Sequence, residues 1–427
     1  MSSVLPFDII VLIIDIVGEN KDTNLLKELA LVSHSFNQIC SKHLFATVEL
    51  RQSSTSIPIR HSALRLASSK KRFVKLLKSR PNVVDYIRKL TYKVGDYYLS
   101  TPLPADCPSF DHEDRLLSPI LPNFLRKISR LNCLTITGSM LDWNTLDSSL
   151  TSAFLYLMRL PTINHIDLSF IRNFPLSGLT QSVNLRRLDI FHLSNSHGED
   201  GSFEIVQSEI TPKIREFHAI DSSLLTTKLL HAKRQDGQPA FNFMDLTRLS
   251  TSFEPDDKRN VRYLLQNSNL SDKLHISVGP EKSLVGLHDF LSSNARALKV
   301  LDLTVSLYSV FSPPLGGLWE ELKAMAGHNV LEALSIEIQI GGHEKEKFMG
   351  YVIRKVEKAL VKPGWSALRR VSFKVSIACC LVVSREDSAK LSEALQSLPD
   401  KYLRRLPKLK SVTFNYSAYI DKCVEHD

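Results

Sequence analysis

The stretch INHIDLSFIRNFPLSGLTQSVNLRRLDIF, residues 163–191, contains one short pattern twice. The pattern is L-x-x-L-x-L, in which another large apolar residue can replace leucine, and its copies begin at Ile163 and Leu185. The second and third apolar positions are two residues apart, so on a β-strand both side chains point to the same face. We therefore predict a strand at each copy, with its apolar face turned into a core.

The same pattern recurs along most of the chain. Clear copies begin at Leu131, Ile163, Leu185, Leu298, Leu331, Leu368 and Leu409, and weaker copies at Ile87, Ile214, Leu246 and near Leu274. Helical-looking stretches separate several of them. One strand and one helix cannot bury an apolar face alone, whereas stacked neighbours can. We expect an α/β fold in which residues 85–427 form a solenoid, a curved sheet with outer helices. The other interpretation is an ordinary α/β protein with similar strands.

These copies resemble irregular leucine-rich repeats. Their spacing is longer and more variable than the 20–29 residues of regular repeats. The Asn or Cys that follows the strand in regular repeats is also missing, because Ser139, Ile171 and Leu193 stand at that position. The resemblance implies a concave strand face that holds a partner.

The first 48 residues are predicted to form a separate helical module. Pro6 suits the first turn of a helix, and the run from Ile9 to Val17 is apolar on nearly every side. Asp22 or Thr23 can cap a second helix, and Ser33 can cap a third. Three short helices enclose a core too small to be stable alone. Their excess apolar surface therefore requires a partner, either the following domain or another chain.

This module resembles the F-box. The residues that carry the resemblance are Leu5, Pro6, Asp8, Ile9 and Ile10, followed by Leu29, Val32, Ser33, His34 and Phe36. His34 stands where Lys or Arg is more usual. With the repeats that follow, the arrangement is similar to fungal-type proteins that join an F-box to leucine-rich repeats.

The resemblance implies a substrate-recognition subunit of an SCF-type cullin–RING ubiquitin ligase, located in the cytoplasm, the nucleus or both. The F-box would dock on a Skp-family adaptor, which joins the cullin, and the repeats would hold an unknown target protein. The implied adaptor-binding residues are Leu5, Pro6, Ile9, Ile10, Leu29, Val32 and Phe36. In the alternative, the three helices only cap the end of the solenoid, and the protein is a repeat scaffold that binds protein or nucleic acid and has no ubiquitin-ligase role.

A basic segment, residues 49–84, connects the two predicted domains. Residues 51–95 carry twelve Lys or Arg and one Asp, a net charge of +11 against +9 for the whole chain. Phe73, Leu76 and Leu77 mark one face of a helix, and Lys71, Lys75 and Lys78 another. This face is either solvated or attracts an acidic partner. Exposed aromatic residues for base stacking are missing, which disfavours nucleic acid.

The repeat register predicts a target-binding patch. Residues before, between and after the two inward positions face outward. On successive copies these are His165, Asp167, Arg187, Asp189 and Phe191, and Arg370 has the same place on a later copy. Both charge signs beside an aromatic are typical of a protein-binding hot spot. The alternative is a solvated face whose charges pair with each other.

Several function classes lack their sequence signals. The chain contains no phosphate-binding loop, no GxGxxG, no GxSxG and no HExxH, so we expect no enzyme and no cofactor. Its six Cys do not have zinc-site spacing, which argues against a metal and for a reducing compartment. We also expect no membrane span, since no apolar run approaches about 20 residues, and no signal peptide, since the first twenty residues lack Lys and Arg.

Overall fold

The chain divides into two compact units in a computed structural model. The first unit comprises residues 1–212 and 231–241, and the second comprises residues 213–230 and 242–427. The structure describes residues 6–52, 72–94, 120–194, 210–279, 283–291, 297–307, 317–327, 329–341, 346–379, 392–409 and 411–422.

Three short helices open the first unit: α1 (Phe7–Glu19), α2 (Thr23–Ala30) and α3 (His34–Leu44). The Asp22 carboxylate accepts a hydrogen bond from the Leu25 amide at 3.0 Å, and the Ser33 hydroxyl accepts one from the Phe36 amide at 3.3 Å. Both side chains therefore cap their helices as the sequence predicts.

A small core joins these helices. It consists of the buried side chains Ile14, Leu26, Ile39 and Cys40. At its edge, His43 Nε2 on α3 lies 2.7 Å from Asp15 Oδ1 on α1. Gly18 of α1 faces the same imidazole, and a Cβ atom at this position would collide with the ring. The absence of a side chain at Gly18 thus permits the close approach of α1 and α3.

The rest of the first unit is built on parallel strands that pair in chain order. The strands are β1 (Thr47–Gln52), β2 (Lys89–Val94), β3 (Cys133–Asp142), β4 (His165–Arg172) and β5 (Arg187–Phe191). Helices α4 (72–79), α5 (Leu121–Leu125), α6 (Ser148–Met158) and α7 (Ser177–Thr180) and 3₁₀ turns at Pro81–Tyr86 and Trp143–Thr145 lie between them.

The basic connecting segment contains the amphipathic helix that the sequence predicts. On α4, Phe73 and Leu77 are buried and Leu76 is half-buried. Lys75 and Lys78 are exposed, and Lys71 lies outside the described residues. The 3₁₀ turn that starts at Pro81 follows directly.

The second unit repeats this parallel arrangement, again in chain order. Its strands are β6 (Glu216–Ile220), β7 (Arg248–Ser252), β8 (Lys273–Val278), β9 (Val300–Leu307), β10 (Ala333–Gly341), β11 (Arg370–Cys379) and β12 (Thr413–Lys422). Its helices are α8 (Ser223–His231), α9 (Pro255–Gln266), α10 (Leu287–Leu291), α11 (Leu318–Met325), α12 (Glu346–Leu360), α13 (392–396) and α14 (Leu398–Tyr402), with a 3₁₀ turn at Leu406–Lys408. The predicted α/β class is confirmed, and the strands are parallel.

Each copy of the repeat pattern falls at the start of a strand. The second apolar position is almost fully buried in Leu134, Ile166, Leu188, Leu301, Leu334 and Val371. In the first unit Phe154 on α6 is also buried, and its ring lies 5.0 Å from the ring of Tyr92 on β2. The last copy differs, because its second and third apolar positions, Val412 and Phe414, are both only half-buried.

No helix within the described ranges is long and apolar enough to span a membrane. The same ranges contain no group of three or more His, Cys, Asp or Glu side chains placed to hold a metal ion.

Candidate functional site

The helical module exposes an extensive apolar surface. Its members, which we call the N-terminal apolar surface, are Phe7, Ile9, Leu12, Ile13, Ile16, Leu25, Leu31 and Val32, and each is more than a third exposed. Leu31 and Val32, in the turn between α2 and α3, are 87% and 65% exposed. A large apolar side chain gains about 1.5–3 kcal/mol from burial, so this surface is suited to a protein partner.

Helix α1 has two apolar stripes. Ile14 is buried in the small core, and Ile10 and Val17 pack against it. Ile9, Leu12, Ile13 and Ile16 follow the spacing i, i+3, i+4, i+7, so they form one exposed face of the helix. One apolar face of α1 therefore packs into the core of the module, and the opposite apolar face remains exposed for a partner.

The structure separates the predicted adaptor-binding residues into two groups. Pro6, Ile9 and Val32 are exposed. Ile10, Leu29 and Phe36 pack against the small core instead, and Leu5 lies outside the described residues. Sequence reasoning missed the exposed Leu12, Ile13, Ile16 and Leu31. Helical spacing counted from Ile9 would have found the first three of these.

A second candidate site lies on the outward face of β3, β4 and β5. Their register places Cys133, His165 and Arg187 in one row, and Thr135, Asp167 and Asp189 in the next. The inward rows contain the buried leucine and isoleucine residues. We call the five residues Cys133, His165, Asp167, Arg187 and Asp189 the polar strand cluster. The structure thus brings together four of the predicted target-binding residues.

Asp189 is the centre of this cluster. Its side chain is only 5% exposed, and its carboxylate accepts hydrogen bonds from Arg187 Nε at 3.0 and 3.1 Å. A second Arg187 nitrogen donates to Oδ2 at 2.9 Å, and His165 Nε2 lies 2.9 Å from the same oxygen. A buried carboxylate is stable in such a place only when it is paired and hydrogen-bonded.

The cluster changes the protonation of its members. Burial of the imidazole opposes its charged form, but hydrogen bonds to Asp189 and Cys133 outweigh burial and raise the pKa of His165 to about 9. His165 Nδ1 lies 3.2 Å from Cys133 Sγ. Burial, and then the charge of Asp189, raise the pKa of Asp167 above its ordinary value. At neutral pH the cluster therefore contains an imidazolium between the Cys133 sulfur and the Asp189 carboxylate.

The two remaining predicted target-binding residues are not members of the cluster. Phe191 is half-buried and pairs with Ser169, one row beyond Asp167 and Asp189. Arg370 is exposed at the start of β11, in the second unit. Sequence reasoning missed Cys133, which has the same outward position on β3 that His165 has on β4.

Sequence reasoning also missed an aromatic pair at the ends of β4 and β5. The rings of Phe170 and His192 stack with centroids 4.6 Å apart. Both residues adopt the left-handed backbone region, with φ of 56° and 48°. This conformation is uncommon outside glycine, and strand alternation does not predict where their side chains point.

The second unit also has polar rows on its strands, with different pairings. Lys374 Nζ on β11 lies 3.1 Å from Glu337 Oε1 on β10. On β8, the two ring nitrogens of His275 lie 2.6 Å from the Ser250 hydroxyl and 3.1 Å from the Thr304 hydroxyl. The neutral partners of this histidine contrast with the carboxylate beside His165.

Comparison with known proteins identifies no family for this chain. No protein-family model matches the sequence, and no curated protein matches it significantly.

Proposed function

We propose that this chain is the substrate-recognition subunit of an SCF-type cullin–RING ubiquitin ligase. In this role the first three helices act as an F-box that docks on a Skp-family adaptor. The parallel strands that follow act as irregular leucine-rich repeats that hold a target protein. The single observation that carries the proposal is the N-terminal apolar surface on a very small three-helix module.

The exposed residues of this surface argue for a partner chain. Leu31 and Val32 in the α2–α3 turn are both exposed, next to the helix that Ser33 caps. A module that only closed the end of a repeat domain would need a polar outer face. The outer stripe of α1 is apolar, which favours docking over capping.

The target would bind on the outward face of the strands. This face combines both charge signs in the polar strand cluster with the half-buried ring of Phe191. The internal pairing of Arg187 with Asp189 also fits a solvated face, the alternative that the sequence leaves open. Loss of a bound target from an Arg187→Ala, Phe191→Ala double variant would separate the two interpretations.

Adaptor binding tests the proposal directly. The full chain is produced together with a Skp-family adaptor, and the adaptor that co-purifies is measured for the wild type and for Leu12→Asp with Ile16→Asp. We expect the double variant to lose at least about 90% of the adaptor, because a charge inside an apolar interface is strongly unfavourable.

A matched control uses the same change on another exposed apolar residue. Leu224 on α8 is 49% exposed, as is Ile16, so Leu224→Asp should retain the adaptor. Circular dichroism shows whether each variant stays folded. A folded Leu12→Asp, Ile16→Asp variant that retains the adaptor in full would exclude docking through this surface.

A binding scaffold without a ubiquitin-ligase role is the second candidate. It is favoured by the exposed basic residues Arg72, Lys75 and Lys78 on α4. Clustered exposed charge attracts acidic partners and is screened over about 10 Å at 0.1 M salt. In that case Lys75→Glu with Lys78→Glu should slow binding of an acidic partner at low salt, and no adaptor should co-purify with the wild type.

A further inference from the structure

Cys133 lies between basic residues on the outward face of β3. Its register partner on β2 is the exposed Lys89, and its partner on β4 is His165. Arg187 follows in the same row on β5. The thiol is half-buried and is not in a disulfide.

A line of hydrogen-bonding groups connects this thiol to a buried carboxylate. Cys133 Sγ lies 3.2 Å from His165 Nδ1, and His165 Nε2 lies 2.9 Å from Asp189 Oδ2. Both ring nitrogens of an imidazolium are donors. The ring can therefore donate to the sulfur and to the carboxylate at once, while Arg187 holds the carboxylate in place.

The basic groups near Cys133 lie in its own register row, and the acidic groups lie in the next row. Lys89 and the His165 imidazolium are its direct neighbours, and the pKa of His165, about 9, keeps the ring charged at neutral pH. The acidic residues Asp167 and Asp189 lie one row further along the strands, and Asp189 is neutralised by Arg187. The thiolate is the reactive form of cysteine, and the His165 imidazolium can donate a hydrogen bond to it.

We propose that Cys133 is a nucleophilic cysteine that small hydroperoxides oxidise to a sulfenic acid. In this step the thiolate sulfur of Cys133 forms a bond to the O–H oxygen of the hydroperoxide, and the O–O bond breaks. The leaving oxygen takes the proton from His165 Nδ1 and departs as water or an alcohol. Sulfur is oxidised by two electrons and the peroxide is reduced by two, so the step needs no further reactant.

The position of the proton donor favours a hydroperoxide over other electrophiles. Hydroxide and alkoxide are poor leaving groups that benefit from a proton, and His165 presents one beside the sulfur. A disulfide or an alkyl halide releases a group that needs no proton. The partial burial of Cys133 between two strands also limits access to small reagents. This proposal does not depend on the proposed function, since it concerns only residues of the polar strand cluster and Lys89.

Alkylation measured peptide by peptide tests the reactivity of the sulfur. Iodoacetamide forms a bond between sulfur and carbon and releases iodide, so mass spectrometry of the full chain gives a rate for each cysteine. Cys40 is an internal control, because it is fully buried and burial raises its pKa. We expect Cys133 to react at least about tenfold faster than Cys40 at pH 7, and His165→Gln to slow Cys133 about tenfold.

The pH profile of the wild type decides the question even if a variant fails to fold. An isolated thiol reacts about tenfold faster with each pH unit below about 8.5. The proposal predicts that the Cys133 rate rises by less than about tenfold per pH unit between pH 6 and pH 8, because the His165 imidazolium donates to the sulfur. A tenfold rise per unit for Cys133, or an unchanged rate in a folded His165→Gln variant, would overturn it.

Trapping the oxidised product tests the choice of reagent. The wild type is treated with hydrogen peroxide and then with dimedone, which bonds to sulfenic acids, and the adduct is located by mass spectrometry. An adduct on Cys133 that is reduced at least about tenfold by His165→Gln supports the hydroperoxide assignment. Rapid alkylation without a dimedone adduct on Cys133 would overturn that assignment.

Discussion

His165 Nε2 on β4 lies 2.9 Å from Asp189 Oδ2 on β5, and this pair organises the polar face of the first unit. The two residues are 24 apart in the chain, and they are one register row apart on adjacent parallel strands. Arg187 fixes the same carboxylate from its own strand. The three side chains form a charge-paired unit in which only the carboxylate is fully enclosed by protein.

Removing the charge of Asp189 should destabilise the protein. In Asp189→Asn the hydrogen bonds from Arg187 and His165 lose their charge-assisted character, since an amide cannot serve as an ionised acceptor for both. We expect the free energy of unfolding to fall by about 1–3 kcal/mol at pH 7, measured by urea denaturation.

The matched control for this variant is Asp167→Asn, one strand away in the same row. Burial and the charge of Asp189 already disfavour the Asp167 carboxylate. We therefore expect this variant to change the free energy of unfolding by less than about 0.5 kcal/mol, or to increase it. Equal losses in the two variants would contradict the central role of Asp189.

The contribution of His165 to stability should depend on pH. Its pKa is about 9 in the folded chain, against an ordinary value of 6.5. Because folding raises the pKa, the stabilisation is fully present below about 6.5 and is lost as the pH rises through about 9. We expect the difference in unfolding free energy between wild type and His165→Gln to be largest at pH 6, about 1–3 kcal/mol, and near zero at pH 10.

His275 supplies the opposite case. Burial lowers its pKa below the ordinary value, and its ring contacts neutral hydroxyls. Its stabilising contribution is therefore present above about 6.5 and is lost as the pH falls. His275→Gln should show its largest effect at pH 8 and a smaller one at pH 5. A His165→Gln difference that shrinks towards acid, as in His275→Gln, would refute the assigned imidazolium.

The two stripes of α1 should respond differently to truncation. Ile14 is 1% exposed in the small core, whereas Leu12 is 56% exposed. We expect Ile14→Ala to lower the unfolding free energy of the first unit by about 2–4 kcal/mol, and Leu12→Ala to lower it by less than about 0.5 kcal/mol. Hydrogen exchange of the α1 amides measures both. Equal effects would mean that the outer stripe is covered within the chain.

A Gly-to-Ala change in α1 should act against the usual trend. In a helix interior this substitution normally stabilises by about 0.5–1 kcal/mol. At Gly18 the added Cβ would collide with the His43 ring, which Asp15 holds in place. We expect Gly18→Ala to lower the unfolding free energy by about 1–3 kcal/mol, measured by thermal denaturation.

Adding His43→Ala tests the cause of that loss. The second change removes the ring that the new methyl group meets, at the cost of the hydrogen bond to Asp15. Gly18→Ala should then be neutral or stabilising when measured in the His43→Ala background. If it remains equally destabilising there, the contact with His43 is not the reason.

Local periodicity was sufficient for the α/β class and for most strands. Apolar residues at every second position, as at Ile166 and Leu168, indicate which side chains of a strand face the core, whatever the position of the strand in the sheet. The same rule correctly assigned His165 and Asp167 to the outward face. The caps at Asp22 and Ser33 were also predictable, because a capping side chain bonds to an amide only two or three residues away.

The amino-acid sequence by itself thus determined the strands, the inward rows and the helix starts, all of which depend on neighbours within a few residues. Only the tertiary structure decided which stripe of α1 is buried, since a helix apolar on every side contains no signal for the choice. It also decided that Cys133, His165 and Asp189 meet. These residues lie on three different strands. Cys133 and His165 are 32 residues apart in the chain, and His165 and Asp189 are 24 apart, so their contacts depend on the register of the parallel strands.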